Sequence, residues 1–186
     1  MRKATGPRGI VKRLTLDSKV LKSNMLGDPS ERVIDVYVPA GHDGRGLPLL
    51  VDIVGFTAGG PAHTNWKNFG ENVPERLDRL IAEGMAPCVV AFPDCFTKLG
   101  GNQYINSAAI GRWADFLIVE CVPFVEREFG CGGAGRRGLF GKSSGGYGAI
   151  ANALLYPDFW AAAACHSGDM AFELAYLPEF PRLLRK

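Results

Sequence analysis

The six residues Gly141-Lys142-Ser143-Ser144-Gly145-Gly146 constrain this chain more than any other stretch. They read G-x-S-x-G, with the apolar run Gly138, Leu139, Phe140 before them and helix-capable residues from Tyr147 to Leu155 after. That context predicts a strand, a sharp turn and a helix in immediate succession, the setting of a nucleophile elbow. Such a turn holds its central residue in a strained backbone conformation, and side chains at Gly141 and Gly145 would crowd strand against helix. The Ser143 hydroxyl is then exposed at a helix N-terminus, where the Ser144 N–H and the helix dipole face any developing negative charge. Ser143 is thus the candidate nucleophile and Ser144 a candidate oxyanion donor, with a Ser/Gly-rich turn devoid of chemistry as the plain alternative.

Two phosphate-binding readings of the same region fail on spacing. A P-loop needs G-x-x-x-x-G-K-[ST]; Gly141-Lys142-Ser143 supplies its end, but the required first glycine falls on Arg136. Gly133 to Gly138 matches G-x-G-x-x-G, yet it follows a helical stretch and enters a strand, the reverse of a dinucleotide fingerprint. No His/Asp/Glu cluster has metal-ligand spacing either, so neither a metal nor another cofactor is implied.

The 186 residues suffice for one domain with a real core, and 47% hydrophobic with 22% charged residues is the balance of a soluble globular chain. A net charge of +2 with scattered Lys and Arg does not suggest a nucleic-acid partner. The start, Met1 to Pro7, is basic but no apolar run follows, so neither a signal peptide nor a membrane anchor is expected, and the chain is expected in the cytoplasm. Five cysteines without C-x-x-C spacing fit reduced thiols better than a disulfide frame; Cys88 and Cys165 sit in apolar runs and read as packing residues.

In chain order, Ile10 to Val20 and the alternating run Val33 to Val38 predict an antiparallel entry to a sheet, with His42 in a surface loop behind it. Leu47 to Val54, nearly continuous in apolar residues apart from Pro48 and Asp52, predicts a strand covered on both faces. It ends at Gly55-Phe56-Thr57-Ala58-Gly59-Gly60, where the Phe56 N–H is placed to be the second oxyanion donor; His63 and Trp66 follow and could line a pocket mouth. Pro74 to Met85 is amphipathic, with Leu77, Leu80 and Ile81 on one stripe, and Pro87 to Phe92 predicts the next buried strand. The loop after it carries Gln103 and Tyr104 as substrate-pocket candidates. A helix is expected from Gly111 to Phe129, kinked at Pro123 and stopped by Gly130 to Gly135. After the elbow, Trp160 to Cys165 predicts a strand ending in His166-Ser167-Gly168-Asp169. Strands alternating with helices predict an α/β fold with a mostly parallel sheet and helices on both faces, residues 1–186 forming a single domain.

The chain resembles, nearly end to end, the esterase family of α/β-hydrolases that includes enterochelin esterases, S-formylglutathione hydrolases and mycolyltransferase-type antigens. The segments that carry the resemblance are Val51 to Phe56, Gln103-Tyr104 with Asn106-Ser107, and Gly141 through Gly148. It implies an α/β-hydrolase fold, a nucleophile at Ser143, oxyanion donors at Ser144 and Phe56, and a small-molecule ester as substrate. The family's triad acid and histidine lie on loops after later strands, and those positions have no counterpart before Lys186, so a domain incomplete at its C-terminus is expected. His166 and Asp169 stand at the correct edge of the sheet for a local base or acid, with His166 more readily read as shaping the pocket. The expected activity is ester hydrolysis through an acyl-enzyme, with acyl transfer, or a catalytically incomplete binding-only fragment, as alternatives. A strand at Trp160 to Cys165 with nothing beyond it would be an exposed sheet edge open to self-association.

Overall fold

The computed structural model describes residues 6–185; the basic start at residues 1–5 and the final Lys186 lie outside the described residues. Strand β1 (Ile10–Asp17) leads into β2 (Glu31–Val38), and β3 (Leu49–Ile53) is followed by helix α1 (Val73–Ala82) and β4 (Val89–Pro93). A two-stranded ribbon, β5 (Asn106–Ser107) with β6 (Gly111–Arg112), precedes a long helical stretch that starts as α2 (Trp113–Asp115) and ends as α3 (Val122–Phe129). Next come β7 (Arg137–Lys142), α4 (Ser144–Leu155), β8 (Ala162–His166) and two short helices, α5 (Phe172–Ala175) and α6 (Phe180–Leu183).

The six long strands form one sheet in the order β1-β2-β4-β3-β7-β8. β1 pairs antiparallel with β2 from Ile10↔Val38 to Asp17↔Glu31, and β2 pairs antiparallel with β4. From β4 through β3 and β7 to β8 every pairing is parallel. Parallel neighbours need crossovers, and the helices supply them, covering the sheet on both sides. Val51, Val89 and Leu139 face Trp113, Phe116, Val122 and Val125 on one side, while Val90 and Phe92 face Leu77 of α1 on the other. Of the stripe read on α1, Leu77 and Ile81 pack on the sheet and Leu80 stays half-exposed. The helix opens with a capping box in which Asn72 Oδ1 accepts the Glu75 N–H at 2.8 Å and Glu75 Oε2 accepts the Asn72 N–H at 3.1 Å, so two donors with no helical partner are satisfied.

The helix expected over Gly111–Phe129 departs from that reading in two ways. Gly111 and Arg112 pair with β5, so the helix begins at Trp113. Between α2 and α3 the stretch Phe116–Cys121 is wound as a π-helix, and the Val122 N–H bonds Leu117 O, five residues back. Pro123 explains the widened turn: it offers no N–H and its ring crowds the carbonyl four residues before it, and one extra residue in the turn relieves that clash without breaking the helix. Gly130 then ends α3 in the left-handed region at φ 62°.

Two contacts fix where β7 runs. At its start, Arg137 forks onto Glu126 of α3 with bonds of 2.7 and 2.8 Å, both side chains being largely buried, and the guanidinium lies 4.2 Å from the centre of the Phe159 ring. At its end, β7 is wedged against β3: a Cβ on Gly141 would collide with Ile53 O and come within 2.6 Å of Gly145 C, and one on Gly145 would strike Ile53 O and lie 2.7 Å from Val54 O. Only hydrogen atoms fit there. On its far side β8 has no partner among the described residues, and Ala162, Ala163, Ala164 and His166 are exposed there. Leu50, Phe140, Ala162 and Ala164 line a shallow apolar trough on the same face.

Burial pushes the Glu126 carboxyl up, but hydrogen bonds from Arg137 and the Gly133 N–H hold it below the usual carboxylate range. A depressed carboxylate contributes stability above its unfolded value, about pH 4, and loses it as pH falls through the lower folded value. Glu126→Gln should therefore lower stability by about 1.5–3 kcal/mol at pH 7, with the difference from the wild-type chain shrinking below about pH 4; urea melts at the two pH values check this. Gly145→Ala places a methyl group against main chain that cannot rotate away, and should cost about 3 kcal/mol or more in the same assay.

Candidate active site

Ser143 joins β7 to α4 with φ 56° and ψ −123°, a conformation that costs a non-glycine residue about 1–3 kcal/mol and persists only where its surroundings impose it. Three main-chain bonds do so here. The Ser143 N–H donates to His166 O on β8 at 3.0 Å, and Ser143 O accepts from the Tyr147 N–H at 3.0 Å and the Asp169 N–H at 3.2 Å. The Tyr147 bond is the first of α4, which leaves the Ser144 N–H without a helical partner beside Ser143, at the positive end of the helix dipole.

A carboxylate meets the serine. Ser143 Oγ donates to Asp169 Oδ1 at 3.1 Å, while Asp169 Oδ2 accepts from Gln103 Nε2 at 3.3 Å and from the Tyr176 hydroxyl at 3.1 Å. Phe172 stacks against Tyr147 of α4 at 4.9 Å and against Tyr176 at 5.4 Å, so residues 169–176 fold back over the elbow. Burial, and then the bond to Asp169, raises the Tyr176 phenol above its ordinary value, which keeps it a protonated donor at neutral pH.

The other candidates distribute as follows. Gly55 lies against the elbow, where a Cβ would sit 3.6 Å from Ser143 Cβ, and the next residue, Phe56, has an N–H that donates to no group among the described residues. The Phe56 carbonyl accepts from the Gly101 N–H at 2.6 Å, which ties this loop to the one carrying Gln103. Gln103 reaches the site through Asp169. Tyr104 does not line a pocket, contrary to the reading of its loop: it is 2% exposed, its hydroxyl donates to Val54 O at 2.7 Å, and Asn152 of α4 donates to its carbonyl at 2.8 Å. Burial raises its phenol well above the ordinary value, and its work is to brace the end of β3 against α4. Trp66 stands 66% exposed on its loop. His166 holds Ser143 through its carbonyl, while its imidazole is exposed and takes no hydrogen-bond partner among the described residues.

The sequence reading missed a second polar contact. Asp52, buried in β3, bonds His63 Nδ1 through Oδ2 at 2.6 Å, and the adjacent Thr64 hydroxyl donates to Asp35 Oδ2 on β2 at 2.6 Å. Asp35 is also held by Arg13 at 2.7 and 2.9 Å. The signal was Asp52 itself, the one charge in an otherwise apolar strand, which demands a partner when buried. Among the described residues no group of three or more His, Cys, Asp or Glu side chains could hold a metal ion, and no helix is long and apolar enough to cross a membrane.

This architecture recurs among solved structures. A ferulic acid esterase superposes with a TM-score of 0.71 at 23% identity over 87% of this chain, and FphF, a fluorophosphonate-binding serine hydrolase of Staphylococcus aureus, with 0.69 at 18% over 90%. An S-formylglutathione hydrolase from Agrobacterium tumefaciens gives 0.63 at 19% over 88%. The chain spans 61%, 60% and 59% of those three structures' own lengths. Among the curated proteins none matches. The family model described as "Putative esterase" matches residues 23–173, most of the chain and all of the sheet from β2 to β8. An α/β-hydrolase sheet with its strand-turn-helix elbow at Ser143, matched over that length, makes the chain a member of this esterase family.

Proposed function

We propose that this chain is the nucleophile-bearing part of a carboxylic ester hydrolase that works through an acyl-enzyme on Ser143. The observation that carries the reading is the backbone of Ser143 itself: a serine, not a glycine, is held at φ 56° by bonds from three separate segments, at the N-terminus of a helix. Strain of this kind is maintained where a side chain must be presented in one direction. In the reaction, Ser143 Oγ attacks the ester carbonyl, and the carbonyl oxygen takes up negative charge beside the N–H groups of Ser144 and Phe56. Loss of the alcohol leaves the acyl group on Ser143, and water releases it. The free N–H of Phe56 on a loop beside Ser143 supports its part as second donor, and each such donor contributes about 3–4 kcal/mol to transition-state stabilisation.

Family membership and the resemblance to a ferulic acid esterase, an S-formylglutathione hydrolase and a fluorophosphonate-binding serine hydrolase support ester chemistry at this elbow. The substrate is a small-molecule ester entering from the side of the sheet where β3, β7 and β8 end. Ser143→Ala should abolish turnover of p-nitrophenyl acetate while leaving the thermal melt unchanged to within a few degrees; turnover that survives the substitution would remove Ser143 from the mechanism.

A further inference from the structure

Asp52 sits in β3 opposite Phe140 of β7 and two residues from Leu50, both of which pack into the apolar layer between the sheet and α1. Its side chain is 2% exposed, and among the described residues its hydrogen-bond partner is His63, whose Nδ1 lies 2.6 Å from Oδ2. An ionised carboxylate only accepts, so Nδ1 carries the hydrogen. That bond closes a loop on itself, because residues 53–62 leave the end of β3 and come back to it at His63. Within the loop the Ala58 N–H donates to Gly55 O at 3.2 Å, the Ala62 N–H to Gly59 O at 3.0 Å and the Thr64 N–H to Pro61 O at 3.2 Å. Gly60 is pressed onto the end of β4, where a Cβ would strike the carbonyl oxygens of Phe92 and Pro93. Successive turns thus join His63 to the start of the loop. There Gly55 lies against the elbow and the next residue, Phe56, has an N–H that donates to no group among the described residues.

We infer that His63 is a positioning residue: its bond to Asp52 clasps residues 53–62 and so fixes the Phe56 N–H as the second oxyanion donor. This rests on the reading of Ser143 as the nucleophile and of Phe56 as a donor. Any placement of the loop that withdraws His63 leaves a buried carboxylate without a hydrogen-bond donor, a costly state, so the clasp selects one loop conformation over the alternatives. The adjacent Thr64 hydroxyl takes Asp35 as its acceptor at 2.6 Å, so carboxylates on two strands receive consecutive residues of the same segment. His63 touches no reacting atom in this role and moves no proton. It acts through Phe56, and an oxyanion donor meets charge that develops only in the transition state, so the clasp belongs to kcat and not to KM.

The test compares the full 186-residue chain with His63→Leu and His63→Asn, in p-nitrophenyl acetate turnover and in amide hydrogen exchange followed by mass spectrometry. Leucine removes the donor, whereas the asparagine amide nitrogen occupies the place of Nδ1 and can bond Asp52. In His63→Leu, kcat should fall about 100-fold, the effect of a displacement near 1 Å at a reacting centre, while KM stays within about twofold. Peptides covering residues 53–62 should exchange faster in that variant and those of β1 and β2 at the wild-type rate. His63→Asn should recover most of kcat and the slow exchange, which separates loss of the bond from loss of the fold. Unchanged exchange of the loop in His63→Leu would overturn the clasp. Faster exchange with wild-type kcat, or a loss in KM alone, would overturn the positioning role and leave the bond a purely structural one. Absence of turnover by the wild-type chain would instead remove the reading of Ser143, and this inference with it, whatever the exchange shows.

Discussion

Everything about this site depends on how closely the main chain of β3 approaches the elbow. Ile53 O lies where a side chain on either Gly141 or Gly145 would have to go, and Val54 O is nearly as close to the second. This contact sets the separation of β3, β7 and α4 at one point, and the Ser143 backbone must turn within the space that remains. The strain at Ser143 is offset by bonds drawn from His166, Tyr147 and Asp169, which belong to β8, to α4 and to the segment beyond β8. Three parts of the chain therefore have to be assembled before the serine is presented at all.

The polar residues under the sheet follow the same logic of obligatory pairing. Asp52 and Asp35 are charges placed on buried strands, and each is met from the loop after β3, by His63 and Thr64, with Arg13 completing the second. A buried carboxylate without a partner is costly, so these contacts dock the loop that begins at Gly55 onto the sheet. That loop begins with Gly55 against the elbow and Phe56 next to it. The same loop is tied at Phe56 O to the Gly101 N–H, so both ends of it are held.

Among the described residues β8 is paired on one side only, its alanines are exposed, and the trough formed with Leu50 and Phe140 has no helix over it, whereas the opposite face of the same strands is covered by α4. The elbow stands at the carboxyl end of this same strand, where His166 O accepts the Ser143 N–H.

Local patterns were enough for most of the fold. The alternation in Val33 to Val38, the apolar runs of β3 and β4 and the glycine-framed elbow each depend on residues next to one another, and each element lies where its pattern places it. The π-helical turn before Pro123 was legible only as a kink, because a proline announces a missing donor but not how the helix will accommodate it. Tyr104 shows the limit of reading loops: its place on a loop after a buried strand suggested a pocket residue, and only the packing of that loop between β3 and α4 buried the ring and gave its hydroxyl to Val54. The meeting of Asp52 with His63, of Ser143 with Asp169, and of Asp169 with Gln103 and Tyr176 spans separations of 7 to 66 residues and leaves no periodic trace. By itself the sequence determined the long strands of the sheet, its main helices and the strand-turn-helix elbow at Ser143, since steric and hydrophobic rules act over a few residues. Tertiary structure alone decided which charged and polar groups surround that serine, because they are brought there by the packing of distant elements.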